Sequence, residues 1–292
     1  MTRIAVIADI HGNLPALEAV LDDLAAQELD EVLVGGDLVG RGPEGSAVVR
    51  RIADLGYRTL RGNHEDYLLG FRQGEVPDDW LTAGEWAASR WMAAELDAAA
   101  ARYIEGLPFS FVADTAPEVR LVHGTPESNQ EGIGPWCRDD EIEDYLASVR
   151  EPVLVCAHTH RPLIHRSDDG LVVNVGSVGL PFNRDTRAQY AVLHGDADGW
   201  EVELRQVPYD LERIFRTYDT SGFLAEGGIT ARLLRLELEH ASPVLVPFLL
   251  WAERTERSPD ESALDDFFEL YTPGQPLRMF FERLASGAAK LR

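Results

Sequence analysis

A single pattern constrains this chain more than any other: side chains able to bind cations or carry protons sit directly behind short apolar runs. Asp9 and His11 follow Ile4 to Ala8, and Asp37 follows Val32 to Val34. Asn63 and His64 come after Tyr57 to Leu60, His123 after Val119 to Val122, and His158 and His160 after Val153 to Cys156. Runs this short and this rich in β-branched residues read as strands. In open α/β sheets the carboxyl ends of the strands gather ligands and catalytic groups, so five separated segments can converge on one edge. Each piece alone, an Asp-X-His or a Gly-Asp after a strand, is usually only a turn; the ordered set carries the argument.

The segments between these strands read as helices. Leu14, Leu17, Val20, Leu21 and Leu24 recur at helical spacing, with Asn13 suited to the N-cap and Pro15 to the first turn. Strand, loop and helix then repeat through Gly35 to Gly42 and on to Val48, Val49, Ile52 and Leu55, where Gly56 stops the helix. Residues Asp66 to Leu107 read as helical and rich in Trp and Ala, and a further helix is expected from about Asp139 to Val149. Asp168-Asp169-Gly170 and the segment from Asp196 to Gly199 resemble hairpin turns. From about Tyr209 the pattern is helical, including Leu277, Phe280, Phe281 and Leu284. The expected division is a layered α/β domain over residues 1–237 and a helical extension over 238–292, packed on the core or on a partner.

Charge narrows the choice of substrate. With 27 basic and 50 acidic residues the formal net charge is −23, and no basic run offsets it. A long nucleic acid would be repelled. A compact phosphate ester is different, because bound cations can invert the field of one cleft on an acidic protein. The start lacks the basic and long apolar regions of a signal peptide, and the apolar stretch Pro243 to Trp251 is far shorter than the roughly 20 residues of a membrane span, so no membrane partner and a cytoplasmic location are expected. Cys137 and Cys156 lack the spacing of a thiolate zinc site or a disulfide framework.

Asp9-X-His11, Gly36-Asp37, Gly62-Asn63-His64-Glu65, His123 and Ala157-His158-Thr159-His160 together resemble the calcineurin-like metallophosphoesterases over roughly residues 1 to 206. Asn174 to Gly179 and Tyr190-Ala191-Val192 resemble the small bacterial phosphodiesterase branch. Gly36 to Pro43 and Arg61 to Glu65 instead resemble phosphoprotein phosphatases and symmetrical dinucleoside tetraphosphatases. The resemblance implies a four-layer α/β/β/α sandwich. It also implies one metal on Asp9, His11 and His160, a second on Asn63, His123 and His158, and Asp37 bridging both, with a shared hydroxide as nucleophile. Oxygen and imidazole donors suit Mn²⁺ as first choice, with Fe, Zn²⁺ or Ni²⁺ as alternatives.

His64 is the expected catalytic residue at the leaving group, by proton donation or by stabilising charge, and Arg41 the expected phosphate contact through its guanidinium fork. Three departures from the pattern stand out: Gly40 replaces the acid that supports the histidine in the phosphatases, Ala157 replaces a glycine and Val175 a proline. Trp80, Trp86 and Trp91 could wall the site and stack a nucleobase, although buried tryptophans are more often core; His165, His194 and His240 have no ligand-like setting. The expected activity is hydrolysis of small phosphodiesters or nucleotides. Its rivals are a phosphoprotein or dinucleoside-tetraphosphate phosphatase and a noncatalytic scaffold that keeps the fold. The helical extension could also mediate homo-oligomerisation.

Overall fold

The polar residues converge because two sheets lie face to face with their strand ends at a common rim. A computed structural model describes residues 2–115, 118–196 and 199–285. The chain runs through β1 (Thr2–Ile7), α1 (Leu14–Ala25), β2 (Glu31–Val34), α2 (Gly45–Leu55), β3 (Arg58–Thr59) and α3 (Asn63–Gln73). Two 3-10 turns, Asp78–Leu81 and Gly84–Trp86, lead into α4 (Ala87–Glu95) and α5 (Ala98–Glu105). Then come β4 (Ser110–Ala113), β5 (Val119–Val122), α6 (Asp139–Ala147), β6 (Val153–Cys156), β7 (Leu163–Ser167), β8 (Gly170–Asn174), β9 (Ala188–Asp196) and β10 (Gly199–Val207). The last part is helical: α7 (Leu211–Thr220), α8 (Phe223–His240), α9 (Leu245–Arg254), α10 (Glu261–Leu270) and α11 (Leu277–Ala285).

One sheet has the order β10-β9-β1-β2-β3, and the other β4-β5-β6-β8-β7. Strands β1, β2 and β3 are mutually parallel, as are β5, β6 and β8, and antiparallel strands complete each sheet. Alternation along β1 explains the layering. Ile4 and Val6 point into the space between the sheets, against Leu121, Val155 and Val173, whereas Ala5 and Ile7 face the helices. Helix α6 covers the far face of the second sheet through Ile142 and Leu146. The expected four-layer α/β/β/α order is therefore present, with C-terminal helices added to it.

Local chemistry sets the element ends. The Asn13 side chain caps α1 by accepting from the Ala16 amide at 3.2 Å, and its own amide donates to the Gly179 carbonyl at 2.9 Å. Strands β7 and β8 pair Ser167 with Gly170 around the expected turn. Asp196 pairs with Gly199 in the longer hairpin, whose turn residues 197 and 198 lie outside the described residues. The position 237/238, taken above as a domain boundary, falls inside α8. Beyond it, Phe248, Trp251, Phe267, Tyr271 and Phe280 form a separate aromatic core. Among the described residues, no helix is long and apolar enough to cross a membrane.

Candidate metal centre

Backbone conformation separates the candidate ligands from ordinary loop residues. Asp9, His11, Asp37, His158 and His160 all have positive φ, between 51° and 65°, and Arg41 joins them at 64°. Residues with a Cβ avoid this region, and outliers of this kind concentrate where a loop must aim a side chain. The corners follow β1, β2 and β6 directly. They turn the chain back so that its polar groups point inward at the rim.

The structure gathers the seven expected ligands into two adjoining groups. Asp9, His11, Asp37 and His160 each bring one donor atom within 4.8 Å of the others, and so do Asp37, His123 and His158. Asp37 belongs to both: its Oδ2 lies 3.6 Å from His11 Nε2 and 3.3 Å from His123 Nε2. Asn63 Oδ1 completes the second group, 3.0 Å from both His123 Nε2 and His158 Nδ1.

Donor chemistry at this spot demands a cation. His11 Nδ1 meets the Val39 carbonyl at 3.1 Å and His160 Nδ1 the Leu180 carbonyl at 2.6 Å, so each ring carries its proton on Nδ1. Their Nε2 lone pairs then confront one another across 3.0 Å. His123 Nδ1 meets the Gly35 carbonyl at 2.8 Å and His158 Nε2 the Gln130 carbonyl at 3.1 Å, which aims their remaining nitrogens inward as well. Each carboxylate has one oxygen tied to backbone, Asp9 Oδ2 to the His158 amide and Asp37 Oδ1 to the His64 amide. The other oxygens, Asp9 Oδ1 and Asp37 Oδ2, are buried and receive no hydrogen bond. Orphaned acceptors in this number are rare in folded proteins, and a bound cation resolves them all.

Residues 2–162, more than half of the chain, match the family described as calcineurin-like phosphoesterase. The chain belongs to that family. A metallophosphoesterase from Sphaerobacter thermophilus shares its fold at TM-score 0.65 and 28% identity, over 82% of this chain and 99% of the other. An uncharacterized protein of Methanocaldococcus jannaschii is 25% identical over 230 residues, 73% of this chain and 90% of its own length. A symmetrical bis(5'-nucleosyl)-tetraphosphatase of Psychromonas ingrahamii is 37% identical over 73 residues, 24% of this chain; that match spans about a quarter of the relative's length (26%). The chain is thus a metal-dependent phosphoesterase, with a buried cluster of metal-binding side chains at the place where the family match and the geometry coincide.

Burial dominates the electrostatics of this calcineurin-like site. Burial raises the Asp9 carboxyl well above its usual range, aided by Asp37. Burial also lowers His11 and His158 to about 4 and takes His160 well below its ordinary value. Burial would lower His123 too, but the negative charge of Asp37, 3.3 Å away, with that of Asp9, lifts it to about 10.

His64 and Arg41 are brought together beside this cluster. Arg41 Nε donates to His64 Nε2 at 3.2 Å, and burial, opposed by Asp37 and reinforced by Arg41, holds His64 well below its ordinary range. Gly40 has a steric reason to be glycine: a Cβ there would lie 2.3 Å from His64 Nδ1, on a backbone at φ +79°. An acid at this position and His64 in this place exclude each other.

Sequence reasoning did not assign roles to the groups that hold this arrangement. Glu65 is fully buried; its two oxygens accept from the amides of Asp37, Leu38, Val39 and Gly62 at 2.7 to 3.2 Å, binding the second and third ligand loops together. Gly62 permits that closeness, since a Cβ would stand 2.1 Å from Asp37 Oδ1. Glu237 on α8 is also fully buried, pairs with Arg41 Nη1 at 2.8 Å, and accepts from the Val244 and Leu245 amides that begin α9. Glu65 lay inside a recognised motif; Glu237 had no local signal, because its partner is 196 residues away. The three tryptophans divide: Trp91 is core, packed on Phe223, while Trp86 lines a cavity that opens beside His64.

Proposed function

We propose that this chain is a dinuclear-metal hydrolase of small phosphate esters, diesters or nucleotides, akin to the small bacterial phosphodiesterases. The observation that carries the reading is Asp37 Oδ2, a single buried oxygen without a donor, facing imidazoles of both ligand groups. Asp9, His11, Asp37 and His160 would hold one ion, and Asp37, Asn63, His123 and His158 the other. When bound, such a pair supplies a water acidified toward neutrality and positive charge for the phosphoryl oxygens. Mn²⁺ is the favoured metal for these oxygen and imidazole donors.

The chain's own residues complete the chemistry. His64, next to the Asn63 ligand, would stabilise charge on the leaving oxygen. Arg41 offers a fork to two phosphate oxygens, with Glu237 setting its direction. Its Nε bond to His64 fixes the histidine proton on Nδ1, so His64 becomes a donor at Nε2 only when Arg41 turns to substrate. Metal content measured on protein loaded separately with Mn²⁺, Fe²⁺, Zn²⁺ and Ni²⁺, paired with rates on an aryl phosphodiester and an aryl monoester, tests the reading. Two ions per chain and turnover of either ester are expected; one ion, or silence on both, rejects it.

The tetraphosphatase likeness and the Arg41–His64 contact favour a second reading, a phosphatase acting on dinucleoside tetraphosphates or phosphoproteins. A higher kcat/KM on dinucleoside tetraphosphate or phosphopeptide than on the aryl esters, in the same assay, would put this reading first.

A further inference from the structure

The cavity beside His64 has a volume of about 570 Å³, well inside the roughly 300–1,000 Å³ of small-molecule sites. Asn63, His64 and Arg41 form one end of it. Its far walls come from the helical insertion, which lies within the family match, and from α8 and α9, which lie beyond it. A phosphate held at the metal end would project its organic group into this space.

The walls specify that group. Trp86 lines the cavity, and Trp80, which does not, covers one of its faces at 3.8 Å between ring centres and 18° between planes. Tyr67, edge-on to both Trp86 and His64, continues the aromatic surface down to the reacting end. The same cavity is lined from α8 and α9 by Leu234, Leu245, Leu249 and Val246, and Val246 is 44% exposed although apolar. A backed indole and aliphatic side chains lining one cavity suit a flat ring.

The slot's lining offers no unpaired arginine to a second anion. Its two arginines already have carboxylate partners, Arg41 with Glu237 and Arg257 with Asp266. Its two glutamates, Glu85 and Glu253, form no ion pair with a described residue. The lining therefore carries as many acidic as basic side chains, its arginines are already paired, and its two carboxylates offer hydrogen-bond acceptors. It suits a neutral ring with N–H donors and repels a polyphosphate tail.

We infer that the slot between Trp86 and the α8–α9 wall binds the aromatic base of a nucleoside ester whose phosphate lies at the metal centre, making Trp86 and Val246 specificity-determining residues. This deepens the proposed hydrolase reading and rests on it. The occupant is one base on one phosphate, in contrast to the tetraphosphate of the second reading.

Adenosine 5′-monophosphate and ribose 5-phosphate share the same leaving oxygen and differ only in the base. Their kcat/KM ratio on the Mn²⁺-loaded full chain, measured also on their methyl diesters, therefore isolates the slot. A ratio of about 10 or more is expected, since stacking one base contributes roughly 1–3 kcal/mol and 1.4 kcal/mol is tenfold. Trp86→Ala and Val246→Glu should each bring the ratio toward one, and the ratio cancels any effect common to the phosphate end. Equal rates in the parent chain, or a ratio untouched in both variants, overturns the inference. If neither ester reacts, the hydrolase reading fails for these substrates while the slot is still decided by adenosine alone. Saturable quenching of tryptophan fluorescence, weakened about tenfold or more in Val246→Glu, supports it; no quenching overturns it.

Discussion

The ligand loops and the C-terminal helices border the same cleft but are built on opposite principles. At the loops, buried polar atoms lack partners and five ligand positions hold left-handed backbone. At the helices, Phe248, Trp251, Phe267 and their neighbours close an aromatic core. The first region is stabilised by what surrounds it and spends that stability on positioned charge; the second is stabilised by its own apolar burial. The ligand cluster and the aromatic helices are thus built separately, with Glu237, paired to Arg41 and to the first amides of α9, as the polar link between them.

The sharpest way to break that comparison is Asp37→Asn. Removing the shared charge should lower kcat/KM by about 10³-fold or more, the several kcal/mol that paired ions supply, with secondary structure unchanged by circular dichroism. Activity within tenfold of the parent in a metal-replete assay would show that Asp37 does not serve both groups.

Next in size is Glu237→Ala, which should act on both regions. It strands Arg41 and uncaps two amides at the start of α9, so denaturant unfolding should show a loss of about 3–5 kcal/mol. Glu237→Gln keeps an acceptor and should lose less. An unchanged midpoint in both variants would mean the link contributes nothing.

Smaller, and confined to the loops, is a pH effect. His123 is raised to about 10, so in metal-free protein its contribution is complete below the unfolded value near 6.5 and disappears as pH climbs toward 10. Asp9, also raised, works in the same direction. The metal-free chain should therefore lose stability from neutral to alkaline pH, whereas metal-loaded protein, which needs His123 neutral, should bind its ions more tightly over that interval and release protons on doing so. Thermal melts with chelator and with Mn²⁺, from pH 6 to 10, compare the two; parallel curves would contradict this account.

Legibility followed the same division. Strand ends were readable because an apolar run followed by Asp, His or Asn is a local signal, and α1 announced itself through Asn13 and Pro15. What the loops do with those residues was not readable, since no composition marks positive φ at Asp9 or His158. Gly40 looked like a defect in the motif and is instead the space His64 occupies. Trp86 and Trp91 lie five positions apart with similar neighbours, yet one lines a cavity and the other fills a core, because the difference depends on α8 and α9 far down the chain. Long-range packing of this sort leaves no trace at the residue itself.

The left-handed corners restrict which replacements the site could ever accept. Asparagine and glycine tolerate such geometry, whereas β-branched residues do not, so drift away from the present ligands has few open doors. Exchanging a corner such as His158 or Asp9 for glycine should relieve local strain of roughly 1 kcal/mol even as it removes a donor. A descendant released from its chemistry could therefore become sturdier through the very substitutions that silence it.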